Sequence, residues 1–172
     1  MNQKTKLTLG LIAGFFMAIG LDQWTKRLAV QHLMNRPPYQ IWEGVFEFFY
    51  HENRGAAFGM LQGKQTFFLL IAVVVLSFTV YGVFRMPATR KYLPLHLIAM
   101  FLSAGAVGNM IDRFTQGYVV DFLYFKLIDF PIFNVADCYV TVSMFVFMIL
   151  FLFYYKEEDL SCLSLKQKEG QA

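Results

Sequence analysis

Residues 65–84 read QTFFLLIAVVVLSFTVYGVF, an uncharged stretch held between Lys64 and Arg85. About 20 apolar residues rising ~1.5 Å each cross a bilayer core as one helix. Working outward, three more uncharged runs appear: Leu7 to Leu21, Leu93 to Ile111, and Cys138 to Tyr155. The first is short unless its helix continues through Asp22 to about Leu28. The pattern predicts a membrane all-α bundle of four transmembrane helices, with spans near 7–28, 65–85, 93–112 and 137–155. A competing reading of the N-terminus is a cleavable signal peptide, from Lys4 and Lys6, the apolar stretch and Ala18-Ile19-Gly20. The helical character of Gln23-Trp24-Thr25-Lys26 and the three later spans favour an uncleaved first helix.

Composition agrees with a bundle in lipid. The chain of 172 residues is 57% hydrophobic and 16% charged, with 20 Phe, whereas soluble domains carry about a quarter charged residues. No soluble stretch is long enough to fold alone, so 1–172 reads as one integral-membrane domain. The net charge of +3 is small and scattered, which argues against nucleic acid as a partner. Cys138 and Cys162 read as lying at opposite ends of one helix, which argues against a disulfide. No CxxC or Cys/His cluster suggests a metal, and no cofactor is expected.

Four spans place both termini on one side. Lys and Arg are nearly balanced between the two sides, and the compact basic loop with Arg85, Arg90 and Lys91 weakly favours that loop and the termini inside. The outer side then carries residues 29–64 and 113–136. Within the first, Ile41 to Tyr50 is rich in aromatic and branched residues, a strand signal. Pro37-Pro38 precedes it and Gly55 and Gly59 follow as turn signals. A small extracytoplasmic β-sheet lying on the membrane is expected. The charged tail 156–172 reads as disordered.

The acids at the span ends carry the chemistry. Asp137 is the last charge before Cys138 to Tyr155, and Asp121 lies in Val119-Val120-Asp121-Phe122. Ionised groups at a bilayer edge are costly to desolvate and usually functional. Two carboxyls brought close cannot both ionise easily. The ionised one takes a proton from a water that attacks a carbonyl, and the protonated one donates to the carbonyl oxygen or the leaving amine. Each residue also has a plainer reading. Asn134 is a fitting N-cap with Asp137 in the first helical turn. Asp112 with Arg113 reads as an ion pair anchoring a helix end. Arg113 can instead orient a carbonyl or carboxylate through its fork of donors. Asp22 reads as a helix-packing hydrogen-bond partner. Asn53-Arg54-Gly55-Ala56-Ala57-Phe58-Gly59 is either a tight turn or a place where small residues admit an extended peptide. Asn109 and Asp112, like Asn134 and Asp137, are three apart and share a helix face. His32, His51 and His96 are scattered and read as ordinary interface or loop residues. No Ser or Cys has a His placed as its base.

Five segments in order carry a resemblance. They are Asp22-Gln23-Trp24-Thr25-Lys26, Asn53 to Gly59, Gly105-Ala106-Val107-Gly108-Asn109-Met110-Ile111-Asp112-Arg113, Val119 to Phe122, and Phe133-Asn134-Val135-Ala136-Asp137. Together they resemble the motif blocks of the bacterial lipoprotein signal peptidases (signal peptidase II) over about residues 8–155. The resemblance implies an aspartic endopeptidase of the bacterial inner membrane. Its substrate would be a prolipoprotein whose cysteine already carries diacylglyceryl, cut just before that cysteine. Asp121 and Asp137 fall on the catalytic pair. Asp22, Asn53, Asn109, Arg113, Asn134 and Ala136 fall on supporting or site-lining positions, and Gly55 and Asp112 lie within the same blocks. It also implies a periplasmic site, cytoplasmic termini and membrane lipid as surroundings, and a monomer is expected. Ser103-Ala104 and Cys138 depart from the commonest form of the pattern, which touches helix packing only. The rival from another class is a small four-span transporter or proton relay, whose acids are expected near mid-bilayer on inverted repeats.

Overall fold

The structure, a computed structural model, describes residues 2–55 and 65–163. The elements in chain order are α1 (Gln3–Leu33), β1 (Tyr39–Trp42), β2 (Phe46–Asn53), α2 (Gln65–Arg85), α3 (Leu93–Gln116), β3 (Val119–Tyr124), α4 (Val135–Phe153) and α5 (Glu157–Leu160). Helices α1 to α4 are each long and apolar enough to cross a membrane. Their outer faces leave large side chains such as Phe16, Phe78, Phe84, Phe145 and Phe153 exposed, as lipid-facing surfaces do.

Helix α3 is the hub, packing against α1, α2 and α4 and touching β3. Its glycines explain the close approach. A Cβ on Gly105 would stand 2.6 Å from the Ala136 carbonyl oxygen, and one on Gly108 would stand 2.5 Å from Asp22 Oδ2. Without side chains at these positions, α1 and the start of α4 can meet on α3. Ser103, one of the two departures noted above, shares a hydrogen bond of 2.8 Å with Thr79, tying α2 to α3.

The small sheet is antiparallel with order β1-β2-β3. The strand signal over 41–50 resolves into a hairpin, because Gly44 adopts φ 71 and turns the chain between β1 and β2. The Asp121 segment, read above only as a connection, is the third strand. It is set in place by Gly117, whose φ of 81 ends α3 in the left-handed conformation and directs the chain back along β2. Successive side chains of a strand point to opposite faces. Val120 and Phe122 therefore pack on Ala29 near the end of α1, with Leu33 and Phe48 around them. Burying a side chain as large as Phe122 stabilises by about 1.5–3 kcal/mol. Asp121 then points to the other face.

The disordered-tail expectation needs correcting, and helix α1 extends beyond the span expected of it. Helix α1 runs past Leu28 to Leu33, because its last turns gain the sheet as a packing partner. The tail is ordered at its start. Tyr155 is buried, the Tyr155 hydroxyl donates to the Lys91 carbonyl at 2.6 Å, and Lys91 pairs with Asp159. The tail beyond Leu163 and the motif residues 56–59 lie outside the described residues.

Candidate active site

Four segments meet at the sheet end of the bundle. Helix α4 begins with a capping box: the Asn134 side chain accepts from the Asp137 main-chain N–H at 3.0 Å, and Asp137 Oδ2 accepts from the Asn134 N–H at 3.1 Å. The cap expected from sequence is therefore present, yet it uses only part of either side chain. Asn134 Nδ2 also donates to Asp121 Oδ1 at 2.6 Å. Asp137 Oδ1 accepts from Asn109 Nδ2 at 2.8 Å. Asn134 thus touches both carboxylates, one through its side chain and one through its backbone.

The second oxygen of Asp121 accepts from Asn53 Nδ2 at 2.8 Å. The sheet register explains this contact. His51 lies opposite Asp121 and Asn53 opposite Val119, so Asn53 and Asp121 are diagonal neighbours on one face. Asn53 in turn accepts from the Gly55 N–H at 3.0 Å. Both oxygens of each acid are therefore met by neutral amide or main-chain donors, and no ion pair holds either acid among the described residues. Asp121 is 1% exposed. Burial, reinforced by the Asp137 charge, pushes its carboxyl from 3.8 up to about 7, against the opposite pull of the Asn53 and Asn134 amides.

Arg113 sits beside this pair. Among the described residues, its guanidinium makes only long contacts, at 3.4 Å, to the carbonyls of Asn109 and Gly55, and lies 4.8 Å over the Phe68 ring. It forms no ion pair with Asp112, which corrects the end-anchoring reading. Asp112 points instead toward α1, where Lys26 holds it.

Lys26 is 3% exposed and lies 2.9 Å from Asp22 and 3.0 Å from Asp112, while donating to Asn109 Oδ1 at 2.8 Å. Asp22 Oδ1 accepts from the Ala136 N–H at 3.0 Å, Asp112 Oδ2 from the Val120 N–H at 3.2 Å, and Gln23 donates to both acids. Buried charges survive only when paired and hydrogen-bonded in this way. One lysine thereby ties α1 to α3, while its two acids grip the first turn of α4 and the start of β3. The ten residues singled out from sequence fall into one connected network. Lys26 and Gln23 were missed as members, although Asp22 and Lys26 are four apart on a helix, the spacing of a facing ion pair. Nothing in the sequence indicates that Asp112 completes it.

Among the described residues, no group of three or more His, Cys, Asp or Glu is arranged to hold a metal ion. What the arrangement offers is two carboxyls cradled by amides, with the Arg113 guanidinium alongside. Donors of this kind hold a peptide backbone, and paired acids handle protons.

Comparison with known proteins shows the family. The family model described as Signal peptidase (SPase) II matches residues 14–153. A lipoprotein signal peptidase of Caldanaerobacter subterraneus subsp. tengcongensis is 46% identical over 134 residues, covering 77% of this chain and 89% of the relative. That of Streptococcus thermophilus is 40% identical over 141 residues, covering 82% and 89%. A solved bacterial membrane enzyme superposes with a TM-score of 0.74 at 30% identity, over 93% of this chain and 94% of its own. The matched region runs from α1 to the end of α4 and contains every residue of the buried network, so this chain belongs to the signal peptidase II family.

Proposed function

We propose that this membrane protease is an aspartic endopeptidase in which Asp121 and Asp137 act as a pair. It removes the signal peptide of a diacylglyceryl-modified prolipoprotein by cutting just before the lipidated cysteine. The observation that carries the reading is Asn134, which joins the two carboxyls while neutral donors meet all four of their oxygens. Asp121, pushed to about 7, favours a pair that keeps one proton near neutral pH.

The chemistry follows from that shared proton. The ionised carboxyl takes a proton from water as the water oxygen bonds to the scissile carbonyl carbon. The protonated carboxyl gives its proton to the carbonyl oxygen. In the collapse that follows, a proton passes to the nitrogen, the C–N bond breaks, and the cysteine amine leaves. Asn53, the Gly55 carbonyl and Arg113 are placed to hold the extended peptide beside the pair. The acyl chains of the substrate stay in lipid against the apolar helix faces. In this reading the sheet and site lie on the periplasmic side of the inner membrane, with both termini cytoplasmic. Family membership sets aside the transporter alternative.

The test uses the full chain in detergent with a lipid-modified precursor. Asp121→Asn and Asp137→Asn are each expected to abolish cleavage while thermal unfolding still shows a folded protein. Near-normal turnover by either variant removes the pair. Inhibition by chelators would point to a metal enzyme instead.

A further inference from the structure

On the far side of the sheet from Asp121 lies a pocket of about 650 Å³, and none of the residues of the buried network lines it. Its floor is Ala29, Leu33, Phe48 and Phe122, and its rim carries His32 and Arg36. We propose that this pocket binds an anionic phospholipid, with acyl chain on the apolar floor and phosphate against Arg36 and His32.

Three observations support this. The first is position. Helix α1 has 31 residues, about 46 Å at ~1.5 Å each, against a hydrocarbon core of ~30 Å. A span beginning near Leu7 leaves the core near Leu28, so the pocket sits at headgroup level. The second is lining. The volume is that of a small-molecule site, and an apolar hollow at that depth is open to lipid rather than dry.

The third is charge. Among the described residues, no acidic side chain lines the pocket. Arg36 is exposed and forms no ion pair among the described residues. His32 lies in the last turn of α1, where the helix dipole alone accounts for a basic residue. Arg36 lies beyond the helix, past Met34 and Asn35, so the dipole does not account for it. A guanidinium beside an apolar slot matches a phosphate carrying an acyl chain.

The full chain in neutral detergent is mixed with phosphatidylglycerol or with phosphatidylcholine of identical chains, and retained lipid is counted by native mass spectrometry. Retention of one phosphatidylglycerol is expected, preferred about fivefold, the factor one basic residue contributes near an anionic surface. Arg36→Glu should erase the preference and Arg36→Lys should keep it. Arg36→Gln gives the same reading should the Glu variant misfold. Equal retention of both lipids, or an unchanged preference in the Arg36 variants, overturns the proposal. Displacement of phosphatidylglycerol by glycerol phosphate alone also overturns it, since the site would then serve a soluble anion.

Discussion

Asn134 donates its side-chain amide to Asp121 at 2.6 Å while the same side chain caps the helix that carries Asp137. Capping and positioning are thus combined in one residue, and they are separable. Ser accepts from a helix N–H as well as Asn does, but has no amide to offer Asp121. Asn134→Ser is expected to keep the helix cap, to lose about 1–3 kcal/mol because the buried Asp121 oxygen loses its donor, and to lower kcat by up to about 100-fold through misplacement of that acid. Asn134→Ala should lose about 1 kcal/mol of stability in addition. Equal activity in the Ser variant and the parent would show that the amide orients nothing.

Lys26 is the structural counterpart. It is buried between Asp22 and Asp112, and removing one partner of a buried pair leaves uncompensated charge. Lys26→Met is expected to cost about 3–5 kcal/mol. The triple variant Lys26→Met, Asp22→Asn, Asp112→Asn removes all three charges together and should recover much of that loss. Thermal unfolding in detergent reads both. A triple variant no better than Lys26→Met would mean that the hydrogen bonds to Ala136 and Val120, not charge balance, dominate.

One glycine of α3 and one of α1 make a sharper packing test. A Cβ at Gly108 would meet Asp22 Oδ2 at 2.5 Å, and a Cβ at Gly10 would meet nothing within 4 Å. Gly108→Ala should therefore cost about 1–3 kcal/mol through forced separation of α1 and α3. Gly10→Ala should be neutral or gain up to about 1 kcal/mol from helix propensity. A neutral Gly108→Ala, measured by unfolding of the two variants side by side, would show that α1 shifts freely.

What the sequence made legible follows from how far each signal reaches along the chain. Span α2 is readable because bilayer thickness dictates a local run of apolar residues. The Asn134–Asp137 cap is readable because its partners are three apart. Strand β3 was not, because Val119 to Tyr124 earns its conformation from β2, some 70 residues earlier in the chain. The pairing of Asp112 with Lys26 rather than with adjacent Arg113 is of the same kind. It depends on α1 crossing α3 at Gly108, a contact that no local pattern encodes. The acids of the site were recognisable by type and motif, and their common partner Asn134 by its spacing from Asp137. The hand-over from Asn109 through Asn134 to Asp121 required three segments in place.

The buried acid also predicts a pH dependence of unusual sign. Most carboxyls are stabilised in folded proteins, and such proteins lose stability as pH falls. Asp121 is raised from 3.8 to about 7, so between those values the folded chain holds a proton that the unfolded chain has released. The unfolded state then binds fewer protons, and stability falls as pH rises through that window. Thermal unfolding between pH 4 and 8 should show this decline, and Asp121→Asn, which has no proton to lose, should weaken it. Activity should follow the same group in the opposite experiment. Turnover should drop above about pH 7 as the shared proton leaves the pair, with a second loss in acid when both carboxyls are protonated. A pH profile flat from 6 to 9 with the parent chain, together with unaltered stability curves in Asp121→Asn, would mean that this carboxyl stays ionised throughout and is no proton donor.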